Sequence, residues 1–136
     1  MSKNVSILVV EDNVTTRLYI KRILKKLGYE KVMAVDDGET ALLELKIKKF
    51  DMIISDWEMP NLNGLDFLRT IRKKPNLRNI PFLMVTAEKE VSKIQKALKQ
   101  GVDNYVVKPF EPGHLKGKIQ EMLGNRDDSP AEAGEE

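Results

Sequence analysis

Five short apolar runs alternate along the chain with five segments whose apolar residues recur at helical spacing. That alternation constrains the fold more than any other feature. The runs fall at residues 5–10, 31–35, 51–55, 82–85 and 103–107, and the helical segments at 14–27, 38–48, 64–73, 91–100 and 111–123. The central stretch, residues 50–60, reads FDMIISDWEMP. Its Met52-Ile53-Ile54 core suits a strand buried on both faces, as parallel sheets require. Strand and helix repeated five times demand right-handed crossovers, so the predicted class is α/β: one parallel sheet wound on both faces with helices.

Local signals punctuate the helices. Asp12 or Asn13 can cap the first, and Gly28 stops it. Asp36-Asp37-Gly38 forms a turn before the second. Pro75 and Gly101 stop the third and fourth. The expected inward residues are Ile20, Ile23, Leu24 and Leu27, then Ala41, Leu42 and Leu45, then Leu65, Leu68 and Ile71, and last Leu115, Ile119, Met122 and Leu123. Gly117 costs the last helix about 1 kcal/mol of propensity relative to alanine.

Composition excludes several classes. The 136 residues contain no cysteine, so disulfide and thiolate chemistry are absent. No apolar run is long enough to span a bilayer, and the first residues lack a signal peptide's apolar core, so the chain reads as soluble, cytoplasmic and without membrane insertion. The formal charge of +2 is unevenly spread. Segment 125–136 sets Asp127, Asp128, Glu132, Glu135 and Glu136 against Arg126, a net of −4, which leaves +6 on the other 124 residues. No lysine run is interleaved with aromatics, so the basic body reads as solvated helix faces and not as a nucleic-acid surface. The polar, acidic composition after Gly124 predicts disorder. The expected organisation is one domain over residues 1–124 and an acidic tail over 125–136.

The runs at 5–10, 51–55, 82–85 and 103–107 end in Glu11-Asp12, Asp56, Thr86 and Lys108. In a parallel sheet these ends share one edge, where α/β folds bind their ligands. Three carboxylates brought together raise one another's pKa, and a divalent cation relieves that conflict. Oxygen ligands with open positions suit Mg²⁺, which keeps waters and accepts phosphate oxygens. Lys108 adds a point charge for an anion and Thr86 a hydroxyl donor. Together these are the parts for phosphoryl transfer to a carboxylate. Each part alone has a plainer account, such as an N-terminal cap for Glu11-Asp12 or a loop carboxylate for Asp56. Their joint placement favours the chemical one.

The motifs ILVVEDN, DMIISDWEMPNLNGLDFL, PFLMVTA and VDNYVVKPF, in this order and spacing, resemble the receiver domains of two-component response regulators. The resemblance spans residues 5–123 and is nearest the CheY-like chemotaxis subgroup. It implies a flavodoxin-like (βα)5 fold, with the sheet order 2-1-3-4-5 carried over from CheY, a known example of that order. It further implies a signalling switch and not an enzyme acting on outside substrates. Asp56 would be the phosphoacceptor. Glu11, Asp12, Asp56 and the backbone carbonyl of Glu58 would hold Mg²⁺. Lys108 would bind the acyl phosphate, Thr86 and Tyr105 would switch, and the Lys108–Pro109 peptide would be cis. Glu58 and Glu88, two residues after Asp56 and Thr86, would tune the phosphoryl lifetime.

The implied partners are a histidine kinase as donor, a flagellar motor switch protein or other target, and a phosphatase; the chain is expected to be monomeric. The output surface is expected around helix four, strand five and helix five. There Val91, Ile94, Tyr105 and Val107 would form an apolar centre, rimmed by Lys89, Lys93, Lys116 and Lys118. Such a surface suits an acidic amphipathic peptide. Two other readings differ in class. A phosphotransferase acting on outside substrates commonly has Asp-x-Asp after its first strand and a cap insertion, and neither is visible. A phosphorylation-independent scaffold would lack one of the five key residues, and none is missing. A receiver cut from a longer regulator is the alternative to a stand-alone protein.

Overall fold

In the computed structural model, which describes residues 3–59 and 62–124, ten elements alternate along the chain. They are β1 (Lys3–Val10), α1 (Val14–Lys26), β2 (Tyr29–Val35), α2 (Gly38–Ile47), β3 (Met52–Asp56), α3 (Gly64–Arg72), β4 (Phe82–Thr86), α4 (Val91–Lys99), β5 (Asn104–Val107) and α5 (Pro112–Leu123). The strands are parallel and ordered β2-β1-β3-β4-β5, the flavodoxin-like order expected. The segment 125–136, read above as disordered, lies outside the described residues, as do Pro60 and Asn61.

Alternation along each strand divides the core into two layers. Ile7, Val9, Met52, Ile54, Leu83, Val85 and Val106 pack with Ile20, Ile23 and Leu24 of α1 and Leu115, Ile119 and Leu123 of α5. Leu8, Val10, Ile53, Phe82 and Met84 pack with Ala41 and Leu45 of α2, Phe67, Leu68 and Ile71 of α3, and Ala97 of α4. β3 and β4 are buried along their whole length, as strands covered on both faces must be.

Local chemistry sets the helix ends. Asn13, and not Asp12, caps α1: its side chain accepts the Thr16 N–H at 2.9 Å. Asp37 does the same for α2 and Asn63 for α3. Gly28 and Gly101 hold φ of 101° and 113°, a region other residues rarely adopt.

Several expectations need correction. β2 begins at Tyr29, two residues before the expected Lys31, because Tyr29 is buried against the α1 layer and Lys3 pairs with it. β3 runs one residue later than the expected 51–55, so Asp56 closes the strand at the C-terminal end where it was expected. In α3 the largest inward side chain is Phe67, which was not anticipated; Leu65 is only half-buried. Phe67 meets Phe82 with ring centroids 5.8 Å apart, one turn-face contact that the flanking leucines alone did not reveal. Ile94, expected on the surface, is 9% exposed and turned inward, whereas Val91 is 67% exposed.

Candidate functional site

Register alone brings the polar strand ends together. Val10 sits opposite Ser55, which levels Glu11 with Asp56 in the neighbouring strand. Asp56 sits opposite Val85, and Thr86 opposite Val107. Backbone bonds continue past the strands: Glu11 N–H to Val35 O, Trp57 N–H to Val85 O, and Lys108 N–H to Thr86 O at 2.7 Å. The edge is therefore fixed by the sheet and not by loop conformation.

The alternation that sorts the core also sorts the site. Glu11 and Asp56 continue the parity of Val9 and Ile54, on the α1/α5 side, and Lys108 continues that of Val106. Thr86 follows Met84 on the opposite side, where Tyr105 also packs. The charged cluster and the Thr86–Tyr105 pair are thus on opposite faces of one edge.

Lys108 Nζ lies 3.2 Å from Asp56 Oδ1 and 3.2 Å from Glu11 Oε1. Asp56 is 6% exposed and Glu11 1%. Burial, then the neighbouring Asp56 charge, raises the Glu11 pKa from 4.5 to about 7, against lowering by the Asn13 N–H and Lys108. Burial also raises the Asp56 pKa, with Lys108 opposing. Burial pulls Lys108 down, but the two carboxylates outweigh it and its pKa is raised. Two carboxylates and one ammonium leave the pocket short of positive charge. One Glu11 oxygen, Oε2, accepts the Asn13 N–H at 3.2 Å. The other, Oε1, is buried with no hydrogen-bond partner; its approach to Lys108 is ionic, without hydrogen-bond alignment.

Asp12 is exposed at the same corner, and Glu11, Asp12 and Asp56 each offer an oxygen within 4.8 Å of the others. A buried oxygen whose one partner is the ionic contact with Lys108, beside two further carboxylates, fits a hard divalent cation such as Mg²⁺.

The remaining expected residues fall around this centre. Thr86 is 2% exposed, and its hydroxyl accepts the Glu88 N–H at 2.8 Å. The Glu88 carboxylate is turned to the start of α4, where it accepts the Glu90 N–H at 2.9 Å and meets Lys93 at 3.4 Å. The Glu88 pKa is lowered by those same partners, the Glu90 N–H first. Glu58 is exposed. Tyr105 is half-buried, with Lys118 Nζ 5.9 Å from its ring centroid. The Lys108–Pro109 peptide is cis, as the resemblance implies.

Sequence reasoning missed three supports. Arg17 Nη1 donates to the Glu11 carbonyl at 2.9 Å. The Tyr19 hydroxyl donates to the Phe110 carbonyl at 3.0 Å, bracing the turn after Lys108. Gly64 N–H bonds Trp57 O at 2.7 Å, and a Cβ on Gly64 would run into the Asp56 carbonyl oxygen and lie 2.8 Å from Trp57 Cα. The glycine in Asn63-Gly64 was the available signal for the last; for Arg17 and Tyr19, whose partners are backbone carbonyls, the sequence holds none.

Comparison with known proteins agrees with this geometry. Residues 7–120 match the family described as the response regulator receiver domain. The chain is 41% identical over 123 residues to chemotaxis protein CheY-3 of Vibrio cholerae, covering 90% of this chain and 95% of that protein. It is 44% identical over 117 residues to chemotaxis protein CheY of Pseudomonas aeruginosa, covering 86% and 94%. Among solved structures it is similar to CheY4 of Vibrio cholerae, with a TM-score of 0.81 and 34% identity over 90% of this chain and 99% of that one. It is also similar to the receiver domain of a sensor histidine kinase from Pseudomonas aeruginosa, solved with a magnesium ion coordinated in its active site cleft, with a TM-score of 0.80 and 32% identity over 88% and 98%. A chain matched over most of its length by this family, with the family's sheet order and its acidic strand-end cluster, belongs to the response regulator receiver domains.

Proposed function

We propose that the protein is a phosphorylation switch of chemotaxis signalling that accepts a phosphoryl group on Asp56. The observation that carries this reading is the position of Asp56. Its carboxylate is buried at the ligand-binding edge of the sheet, 3.2 Å from an ammonium and beside two further carboxylates. A carboxylate kept there only for stability would need no more than its one ammonium partner. This one shares that ammonium with Glu11 and has Asp12 beside it, an arrangement that favours an arriving cation.

The donor would be the phosphohistidine of a histidine kinase. An Asp56 oxygen forms the new bond to phosphorus while the phosphorus–nitrogen bond breaks, and the imidazole leaves with the electron pair. Glu11, Asp12, Asp56 and the Glu58 carbonyl would hold Mg²⁺, which supplies charge neutralisation for the phosphoryl oxygens. A relative solved with a magnesium ion in its active site cleft supports a magnesium site at this edge, and the Glu11, Asp12 and Asp56 cluster supplies the carboxylates for it. Lys108, already against Asp56, pairs with the anionic product. The Thr86 hydroxyl exchanges the Glu88 N–H for a phosphoryl oxygen and donates to it, and Tyr105 on the same face follows inward. Glu58 and Glu88 tune how long the phosphoryl group survives, Glu88 once its carboxylate leaves Lys93. The target would be a motor switch protein, in keeping with the chemotaxis relatives.

The test is incubation with acetyl phosphate and Mg²⁺, followed by intact-mass spectrometry. The expected result is one added phosphoryl group, lost in Asp56→Asn. An Asp56→Asn protein that gains the group at the wild-type rate removes the assignment.

A further inference from the structure

On the side of α1 away from α5, a groove of about 640 Å³ runs between α1 and the edge strand β2. Its apolar floor is Leu18, Tyr29 and Val32, and its basic wall is Lys21, Arg22 and Lys25; Glu30 is the single acid lining it. α1 as a whole carries Arg17, Lys21, Arg22, Lys25 and Lys26 and not one acidic residue. Lys21, Arg22, Lys25 and Lys26 are exposed, and no ion pair forms at any of them among the described residues. Leu18 is 50% exposed at the centre of this basic face. The face therefore combines unneutralised charge with uncovered apolar surface.

We propose that this groove is the docking site of the chain's own acidic segment, residues 125–136. Three observations select that occupant. The first is charge: the segment carries a net −4, while α1 as a whole carries +5, and the groove lining sets Lys21, Arg22 and Lys25 against Glu30 alone. The second is position. Both helices run antiparallel to the strands, so α5 ends on the same edge of the sheet as α1. Leu123 packs in one cluster with Ile23, Leu24 and Tyr29, and Tyr29 is also part of the groove floor. The third is length. Twelve residues reach up to about 40 Å when extended, against roughly 15 Å to pass α1, one distance between packed helix axes plus the far half of that helix. Pro130, Ala131 and Ala133 give the segment small apolar groups for the floor, set between its acidic pairs.

Each ion pair at such a surface is weak and screened. Tethering compensates, because a short linker holds the segment at an effective concentration on the order of millimolar. The contact is thus populated at low salt and released at high salt. It screens the basic face of α1 from other polyanions and leaves the strand-end site open. It depends on charge and reach alone, and not on the chemistry at Asp56.

The experiment is amide NMR of the full-length chain. The comparison is with a full-length variant carrying Asp127→Asn, Asp128→Asn, Glu132→Gln, Glu135→Gln and Glu136→Gln, and with a second variant carrying Lys21→Gln, Arg22→Gln and Lys25→Gln. Neutralising the tail is expected to shift amides of α1 and the start of β2. Raising salt from 0.1 M to 1 M, which shortens the screening length from about 10 Å to about 3 Å, should move the wild-type amides toward the same positions. The α1 variant should show no further response to tail charge. Unmoved α1 amides, or shifts centred on another face, overturn the proposal. Amides indifferent to tail charge that move only on adding vesicles of anionic phospholipid also overturn it, and assign the groove to a lipid surface.

Discussion

Glu11 is the residue on which the electrostatics of the site turn. Its folded pKa of about 7 stands above its ordinary 4.5. Between those values the folded protein keeps a proton that the unfolded chain has released, so the stability of the metal-free protein falls as pH rises through this window. The raised Asp56 pKa acts in the same direction. Lys108, itself raised, contributes stability that is intact throughout this window and is lost only above its ordinary pKa. Denaturant unfolding in EDTA should show a loss on the order of 1–3 kcal/mol from about pH 4.5 to 7.5. Glu11→Gln should flatten most of that slope, and an unchanged slope would sink the account. Metal should act on the same charges from outside. Asp12 is exposed and already positioned with Glu11 and Asp56, so Asp12→Ala should weaken Mg²⁺ binding by tenfold or more. Trp57, next to Asp56 and half-buried, is the fluorescent reporter, and equal affinity in the two proteins would remove Asp12 from the ligand set.

At the level of elements, the strands and helices were legible because each obeys its own period, and the site was legible because parallel register makes strand ends into neighbours. What stayed hidden were contacts between side chains and distant backbone. Arg72 shows why. Its guanidinium donates to the carbonyls of Arg78, Ile80 and Gly101 and pairs with Asp103 at 3.1 Å, tying the loops before β4 and β5. Nothing at position 72 distinguishes it from the other basic residues ending a helix. Ile94 misled for a different reason: α4 has a narrow apolar stripe, and its spacing to Ala97 turns Ile94 inward and Val91 out. Gly64 belongs to this scale too, since it lets the start of α3 close on the end of β3. Gly64→Ala should force that loop off the Asp56 carbonyl. The expected cost is about 2–4 kcal/mol, by overpacking against backbone that cannot yield. Thermal unfolding with and without beryllofluoride would read both losses, in stability and in ligand response. A variant that unfolds like wild type and keeps its beryllofluoride response would show that the close approach is not needed.

Across the whole molecule, the charged cluster and the Thr86–Tyr105 pair occupy different faces of the strand-end edge, which under the proposed switch separates phosphoryl binding from its readout. The charged cluster lies on the α1/α5 side, while Thr86 and Tyr105 share the α4 side. Thr86 is held by the Glu88 N–H, so in the proposed switch drawing its hydroxyl toward Asp56 would free that turn and open space behind it. Tyr105 sits on the edge strand, half-buried, with Lys118 over its ring; under the proposed switch it would move from this position to one further inward. With Ile94 buried, the apolar centre of this face is exposed Val91 with half-buried Tyr105 and Val107. Lys89, Lys116 and Lys118 rim it, while Lys93 is occupied by Glu88 and Glu90. An acidic amphipathic helix is the partner that such a face suits. A ligand shifts a two-state equilibrium only by its differential affinity for the two states, so the peptide must bind better when Thr86 and Tyr105 are inward. Titrating an acidic motor-switch peptide into the protein with and without beryllofluoride should give at least a tenfold difference in affinity, about 1.4 kcal/mol. Tyr105→Ala should shrink that difference, because it removes the moving group. Lys118→Glu should weaken both affinities together, because it reverses a rim charge that both states share. Equal affinities in the two states, or no effect of either substitution, would move the output surface away from α4, β5 and α5.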